Sequence, residues 1–188
     1  VVRHFESVGK HDLAIRVLQR LQKTVMDRTD PAAKQQAWRI CKFGLIRNNA
    51  VGKPFDLTDI DRNGKQVLPE VFKGQPCLLA FYSPRNANSK KLLQELNVIF
   101  QMLKPTGLKL IVIQVEKTPT NVELELNPEW VEISNNPLEE SELSQIFKRC
   151  PVSHVPYFAL IDTKGVLRAI NLSMRTIKTR VEKISAEK

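Results

Sequence analysis

The chain opens with a helical rhythm. Over His11–Met26 the apolar residues Leu13, Ala14, Val17, Leu18, Leu21 and Val25 recur every three or four positions, so they share one helical face. Asp30 then precedes Pro31, which suits an N-cap followed by a proline in the first turn. Ala33, Ala37, Ile40, Cys41 and Leu45 form the stripe of a second helix, bordered by Trp38. Asn48-Asn49 is the expected stop, because Asn tolerates the left-handed conformation. Two short amphipathic helices cannot bury both faces alone. They are expected to pack on the domain beyond residue 50 or on an upstream segment.

From residue 51 the period changes. Phe55-Asp56-Leu57-Thr58-Asp59 alternates and predicts a strand, and Asp61-Arg62-Asn63-Gly64-Lys65 predicts a hairpin turn with Val67-Leu68 returning. The unbroken apolar run Cys77–Tyr82 predicts a strand covered on both faces. A helix is predicted over 88–103, with Leu92, Leu93, Leu96, Ile99, Phe100 and Leu103 in step, and Pro105-Thr106-Gly107 stops it. Leu108–Val115 predicts a second buried strand, Trp130–Ile133 another, and Glu139–Arg149 a short helix carrying Leu143, Ile146 and Phe147. Tyr157–Asp162 and Val166–Asn171 read as a hairpin around Thr163-Lys164-Gly165, and Ser173 caps a last helix with Met174, Ile177, Val181 and Ile184 inward. This order predicts an α/β fold with a central mixed sheet and helices on both faces.

Charge and composition refine this picture. The 188 residues carry 29 Lys+Arg against 20 Asp+Glu, a formal charge of +9. That length suits one domain with an appendage and can bury a core without staples. Residues 1–50 hold ten Lys/Arg and four Asp/Glu, so most of the excess sits there. Such an excess can favour nucleic acid or anionic lipid. Here Arg16, Arg20, Lys23, Arg28, Lys34, Arg39, Lys42 and Arg47 are spread singly, as on a solvated helix face. No zinc-finger or RNA-binding signature accompanies them, so nucleic acid is not favoured as a partner. No apolar run is long enough for a transmembrane helix. Glu116–Glu129 is acidic and holds Pro119 and Pro128, with Val122, Leu124 and Leu126 alternating; Glu123, Glu125 and Glu129 are expected to pair with the basic first helices.

Four landmarks in order resemble the thioredoxin-like fold, closest to its TlpA/ResA and AhpC/TSA branch. Val51-Gly52-Lys53-Pro54-Phe55-Asp56-Leu57-Thr58-Asp59 with Asn63-Gly64-Lys65 is similar to that branch's opening, one residue shorter before the Pro. Phe72–Tyr82 resembles its "G-K-x-V-L-L-x-F-W" strand, Val152–Asp162 its "V-x-x-x-P-T-x-F-L-I-D" segment, and Lys164-Gly165-Val166-Leu167 its "G-x-I" hairpin. The resemblance implies a thioredoxin-like three-layer sandwich over 51–188, preceded by a helical extension over 1–50. It implies that Val155–Pro156 is cis and that the neighbouring backbone can pair with an extended peptide. It also implies a cell-envelope or periplasmic setting.

The departure from the family is the informative part. Its "W-C-x-x-C" comes directly after the strand, and here that register reads Phe81-Tyr82-Ser83-Pro84-Arg85-Asn86-Ala87-Asn88-Ser89. The two cysteine positions are Asn86 and Ser89, and a peroxidatic position near Lys90 fails equally. Disulfide exchange needs a thiolate and a resolving thiol. An amide and an unactivated hydroxyl supply neither, so no catalytic residue is assigned. Of the three cysteines, Cys77 and Cys41 fall on buried apolar stretches and read as small hydrophobes. Cys150 comes after Lys148-Arg149, whose charge can lower a thiol pKa, which makes it the candidate reactive thiol. Spacing gives no disulfide framework and no metal set, and no cofactor is expected. His4, His11 and His154 form no cluster.

The expected binding residues are Pro84, Arg85, Asn86 and Ser89 on one wall and Val155, Pro156 and Tyr157 on the other. The helix N-terminus there, with Arg85, Lys90 and Lys91, is a place where an anion can sit. The reading favoured is a redox-inactive module that binds a protein or extended peptide, or scaffolds a larger cell-envelope protein. The alternative is an oxidoreductase acting through Cys150 or a partner's thiol.

Overall fold

The structure, a computed structural model, describes residues 1–27, 29–56, 58–61, 63–115, 124–135 and 145–187. Expectations for Arg28, Leu57, Arg62, Pro119, Val122, Glu123, Glu139 and Leu143 lie outside the described residues.

Three helices precede the sheet: α1 (Val2–Ser7), α2 (His11–Val25) and α3 (Pro31–Ala50). Asp30 caps α3 as expected, its carboxylate accepting from the Ala32 N–H at 3.0 Å. The sequence pattern needs three corrections here. α1 has no apolar stripe and was not expected. Leu21 and Ile40 are exposed rather than part of buried stripes. Asn48-Asn49 does not end α3, which runs on to Ala50. Asn48 is instead buried, donating from Nδ2 to Glu6 Oε1 at 2.8 Å and to the Gly44 carbonyl at 2.8 Å.

The small hairpin forms from β1 (Asp59–Ile60) and β2 (Gln66–Val67). Asp61 closes its turn by accepting from the N–H groups of Asn63 and Lys65, and Gly64 takes φ +79°. The predicted strand over Phe55–Asp59 shrinks to its last residue. Residues 52–55 instead run beside the far hairpin: Gly52 N–H donates to the Leu167 carbonyl and Phe55 N–H to that of Gly165. The alternation there records the burial of Phe55, which is 1% exposed, not a ladder of its own.

The main sheet has the order β5-β4-β3-β6-β7. It contains β3 (Cys77–Tyr82), β4 (Lys109–Val115), β5 (Val131–Asn135), β6 (Tyr157–Ile161) and β7 (Leu167–Ile170). β3, β4 and β5 are parallel, while β6 and β7 pair antiparallel, so the sheet is mixed as expected. All six residues of β3 are buried, because alternate side chains enter two different cores. Cys77, Leu79 and Phe81 face one core with Phe43 and Ala50 of α3 and with Ile146 and Phe147 of α5 (Gln145–Arg149). Leu78, Ala80 and Tyr82 face the other with α4 (Ser89–Leu103) and α6 (Met174–Ala186). Ser173 precedes α6, its N–H donating to Thr176 Oγ1 at 3.2 Å.

These are the three layers of a thioredoxin-like sandwich, with the N-terminal helices in one layer. α3 enters the first core directly: the Phe43 ring meets Phe147 edge-on at 6.1 Å. The acidic pairing expected for Glu129 is different, since Glu129 pairs with Lys104 at 2.7 Å. No helix among the described residues is long and apolar enough to cross a membrane.

Candidate functional site

Antiparallel pairing sets Phe81 opposite Tyr157. The chain leaving β3 at Ser83 and the chain entering β6 at Pro156 therefore meet at the same end of the sheet. That register brings together the two expected walls, 83–89 and 155–157. The Val155–Pro156 bond is cis. Pro156 is exposed, Val155 half-buried against the first core, and Tyr157 buried.

The 83–89 wall is a closed turn. The Asn86 N–H donates to the Ser83 carbonyl at 3.0 Å, and the Ser89 N–H to the Asn86 carbonyl at 2.8 Å. Asn86 Oδ1 accepts from the Asn88 N–H at 3.0 Å. Ser89 is 4% exposed, and its hydroxyl donates to the Ser83 carbonyl. Asn86 and Ser89 thus hold the turn together. Pro84 is buried and Arg85 is exposed. Lys91, at the start of α4, pairs with Glu95 at 3.9 Å.

Cys150 does not join this wall. It ends the α5 region on the α3 side of the sheet, wholly buried beneath the 151–157 loop. Burial pushes its thiol up to about 12, against an opposing pull from Arg47 and with a further push from Glu6. Lys148 and Arg149 therefore do not set its ionisation. Cys77 is pushed up to about 12 by the same cause, and burial raises Cys41 as well. All three cysteines are free and buried. Among the described residues, no cluster of His, Cys, Asp or Glu could hold a metal ion.

A buried polar cluster beneath the same loop was not expected. Arg47 is 3% exposed, and its Nε donates to Glu6 Oε1 at 3.0 Å. Its Nη1 reaches the Pro151 carbonyl at 3.4 Å, and its guanidinium lies over the Tyr157 ring at 5.6 Å. His11 Nδ1 lies 3.0 Å from Asn48 Oδ1, on the outer side of the cluster. His154 packs edge-on to Tyr157 at 5.5 Å; burial, then the charges of Arg3 and Arg47, lower its pKa. Arg47 left one sequence signal. It shares the helical face of Phe43 and Ala50, where a charge requires a buried partner. Nothing in the sequence pointed to Glu6 as that partner.

The sequence matches no family model and no curated protein. Its structure is similar to solved thioredoxin-fold structures. The thioredoxin domain of a thiol-disulfide oxidoreductase from Bacteroides vulgatus superposes with a TM-score of 0.56 at 19% identity, covering 71% of this chain and 96% of that one. A secreted disulfide oxidoreductase from Mycobacterium tuberculosis gives 0.51 at 16% identity, over 68% and 96%. A thioredoxin-like protein from Bacteroides vulgatus gives 0.55 at 16% identity, over 71% and 87%. At these identities the likeness establishes the thioredoxin-like fold. Chemistry has to be argued from this chain's own residues.

Proposed function

We propose that this chain is a redox-inactive thioredoxin-like module of a cell-envelope protein. In this reading it binds an extended peptide or protein segment between the 83–89 turn and the 154–157 loop. The reading rests on Asn86 and Ser89, which stand where the resemblance puts the reactive thiols and are committed to closing the turn. A Cys150 route has less support, because its thiol is buried and pushed up to about 12, which leaves almost no thiolate at neutral pH.

Binding in this reading uses backbone pairing along the loop at Pro156, with side-chain selectivity from exposed Arg85 and half-buried Val155 over a floor of buried Pro84 and Tyr157. The reading divides the chain into a helical extension, 1–50, and the thioredoxin-like domain, 51–188. Phe43 and Ala50 in the first core support an extension docked on that domain rather than trailing from it. The secreted setting stated for the Mycobacterium tuberculosis relative in fold supports the envelope placement.

The test has two arms. Insulin-disulfide reduction with excess dithiothreitol is expected to run at the protein-free rate. Turnover above that rate that disappears in Cys150→Ser overturns the redox-inactive assignment. Titration with a library of extended peptides is expected to shift amide resonances within 83–89 and 153–157. Shifts confined to other surfaces overturn the binding site.

A further inference from the structure

We infer that α1 is a strap that positions the 151–157 loop from the core side, acting through Glu6 and Arg47. The inference deepens the peptide-binding reading and rests on it, since that loop is one wall of the proposed site.

The strap is tied at two points. Glu6, with its side chain fully buried, accepts from Arg47 Nε at 3.0 Å and from Asn48 Nδ2 at 2.8 Å. Arg3 offers its backbone carbonyl to Asn171 Nδ2 at 3.1 Å, just past the end of β7. Arg47 passes the first tie onward, to the Pro151 carbonyl and the face of Tyr157. Tyr157 directly follows Pro156, and His154 packs on its ring. A continuous chain of contacts therefore runs from α1 to the proposed peptide wall.

One physical argument makes this strap releasable. The network that docks it is incompletely satisfied: Glu6 Oε2 and Tyr157 Oη are buried without a hydrogen-bond partner. When α1 leaves, Arg47 loses its counter-charge and must turn toward water. It then lets go of the Pro151 carbonyl and the Tyr157 ring. The docked state holds the loop in one arrangement, and the released state frees it.

Amide hydrogen exchange tests this in the full chain with Glu6→Gln and Asn171→Ala, which weaken the two ties separately. The buried amides of Cys150, Val152 and Tyr157 are expected to exchange at least ten times faster in each variant, while β3, at 77–82, keeps its wild-type rate. Asn171→Ala touches no buried charge, so it carries the test if Glu6→Gln fails to fold. Asn171 also interacts with His154 directly, so the α1 amides must accelerate together with the loop, and the loop must accelerate more than in His154→Ala, which removes that contact and leaves the Arg3 tie. Loop acceleration without them, unchanged loop rates, or equal acceleration in the loop and β3 overturns the strap. Peptide titration of the same proteins is read separately. Wild-type protein that binds no peptide defeats the binding reading alone, because loop exchange needs no ligand.

Discussion

Replacing Tyr157 by Phe is expected to stabilise the protein, although the residue is central to the first core. The Tyr157 ring meets Phe81 at 6.0 Å, His154 at 5.5 Å and the Arg47 guanidinium at 5.6 Å, and Phe keeps all three contacts. Only the hydroxyl is lost, and that hydroxyl is buried without a hydrogen-bond partner. Arg47 pulls on the oxygen by charge and approaches it with a guanidinium N–H, but stays outside good hydrogen-bond geometry. An orphaned buried hydroxyl costs about 1–3 kcal/mol, because it gives up water and gains nothing. The gap left by one oxygen costs only about 0.3 kcal/mol at ~24 cal/mol per Å³. The first effect wins, and the net gain is about 1 kcal/mol or slightly more. Urea unfolding tracked by far-UV circular dichroism reads this as a higher midpoint with an unchanged slope. In a thermal scan the same gain raises the melting temperature by about 2–4 °C. A midpoint that falls by the equivalent of ~0.5 kcal/mol refutes the reasoning. The hydroxyl would then be satisfied, and the Glu6–Arg47 cluster would lack the slack that makes the strap releasable.

Two further perturbations probe the core and the helical layer. Cys77 and Cys150 are pushed up to about 12, whereas an unfolded thiol ionises near 9. Their contribution is therefore complete below pH 9 and is lost as pH rises toward 12, so the urea midpoint is expected to fall across that range. A Cys77→Ala/Cys150→Ala protein should show a flatter fall, and an identical slope contradicts the assignment. Gly44→Ala places a Cβ 2.7 Å and 2.9 Å from the two methyl carbons of Leu18, itself 2% exposed. Helix propensity favours Ala by about 1 kcal/mol, but overpacking costs about 1–3 kcal/mol, so a net loss is expected. In a Leu18→Ala background the clash is gone and the same change should stabilise; a loss of equal size in both backgrounds rules the clash out.

The sequence was most legible where burial and periodicity agree. The apolar run Cys77–Tyr82 had to be a central strand, because no other element hides six consecutive side chains. Asp30-Pro31 and Ser173 marked helix starts, because cap chemistry is local. Legibility failed where a polar residue performs a core function. α1 was invisible because its one fully buried side chain is Glu6, which patterns as surface. The end of α3 was misplaced because Asn48, a plausible helix stop, spends its amide on Glu6 and Gly44. Phe55 read as strand because one buried aromatic imitates period-two alternation. At the site, the sequence located Asn86 and Ser89 by register alone. That Ser89 is buried, with its hydroxyl turned back on the Ser83 carbonyl, required the packed turn.

The two sides of the proposed groove are held by different physics, and this bears on what the site can do. At Asn86 and Ser89 the 83–89 wall is held by short-range bonds inside one turn, each spanning six residues or fewer. The 151–157 wall is fixed from behind by Arg47, whose partner Glu6 lies 41 residues earlier in the chain. Its shape therefore depends on whether the N-terminal layer is docked. A thiol enzyme needs both walls in register for each turnover, since the attacking and leaving sulfurs must align. A binding module tolerates, and can exploit, one permanent wall and one conditional wall. Affinity is then scaled by the fraction of molecules with the conditional wall in place, without any change in the contacts made by the bound peptide. The distribution of polar groups, local at Asn86 and Ser89 and long-range at Glu6 and Arg47, supports the recognition reading proposed for this end of the sheet.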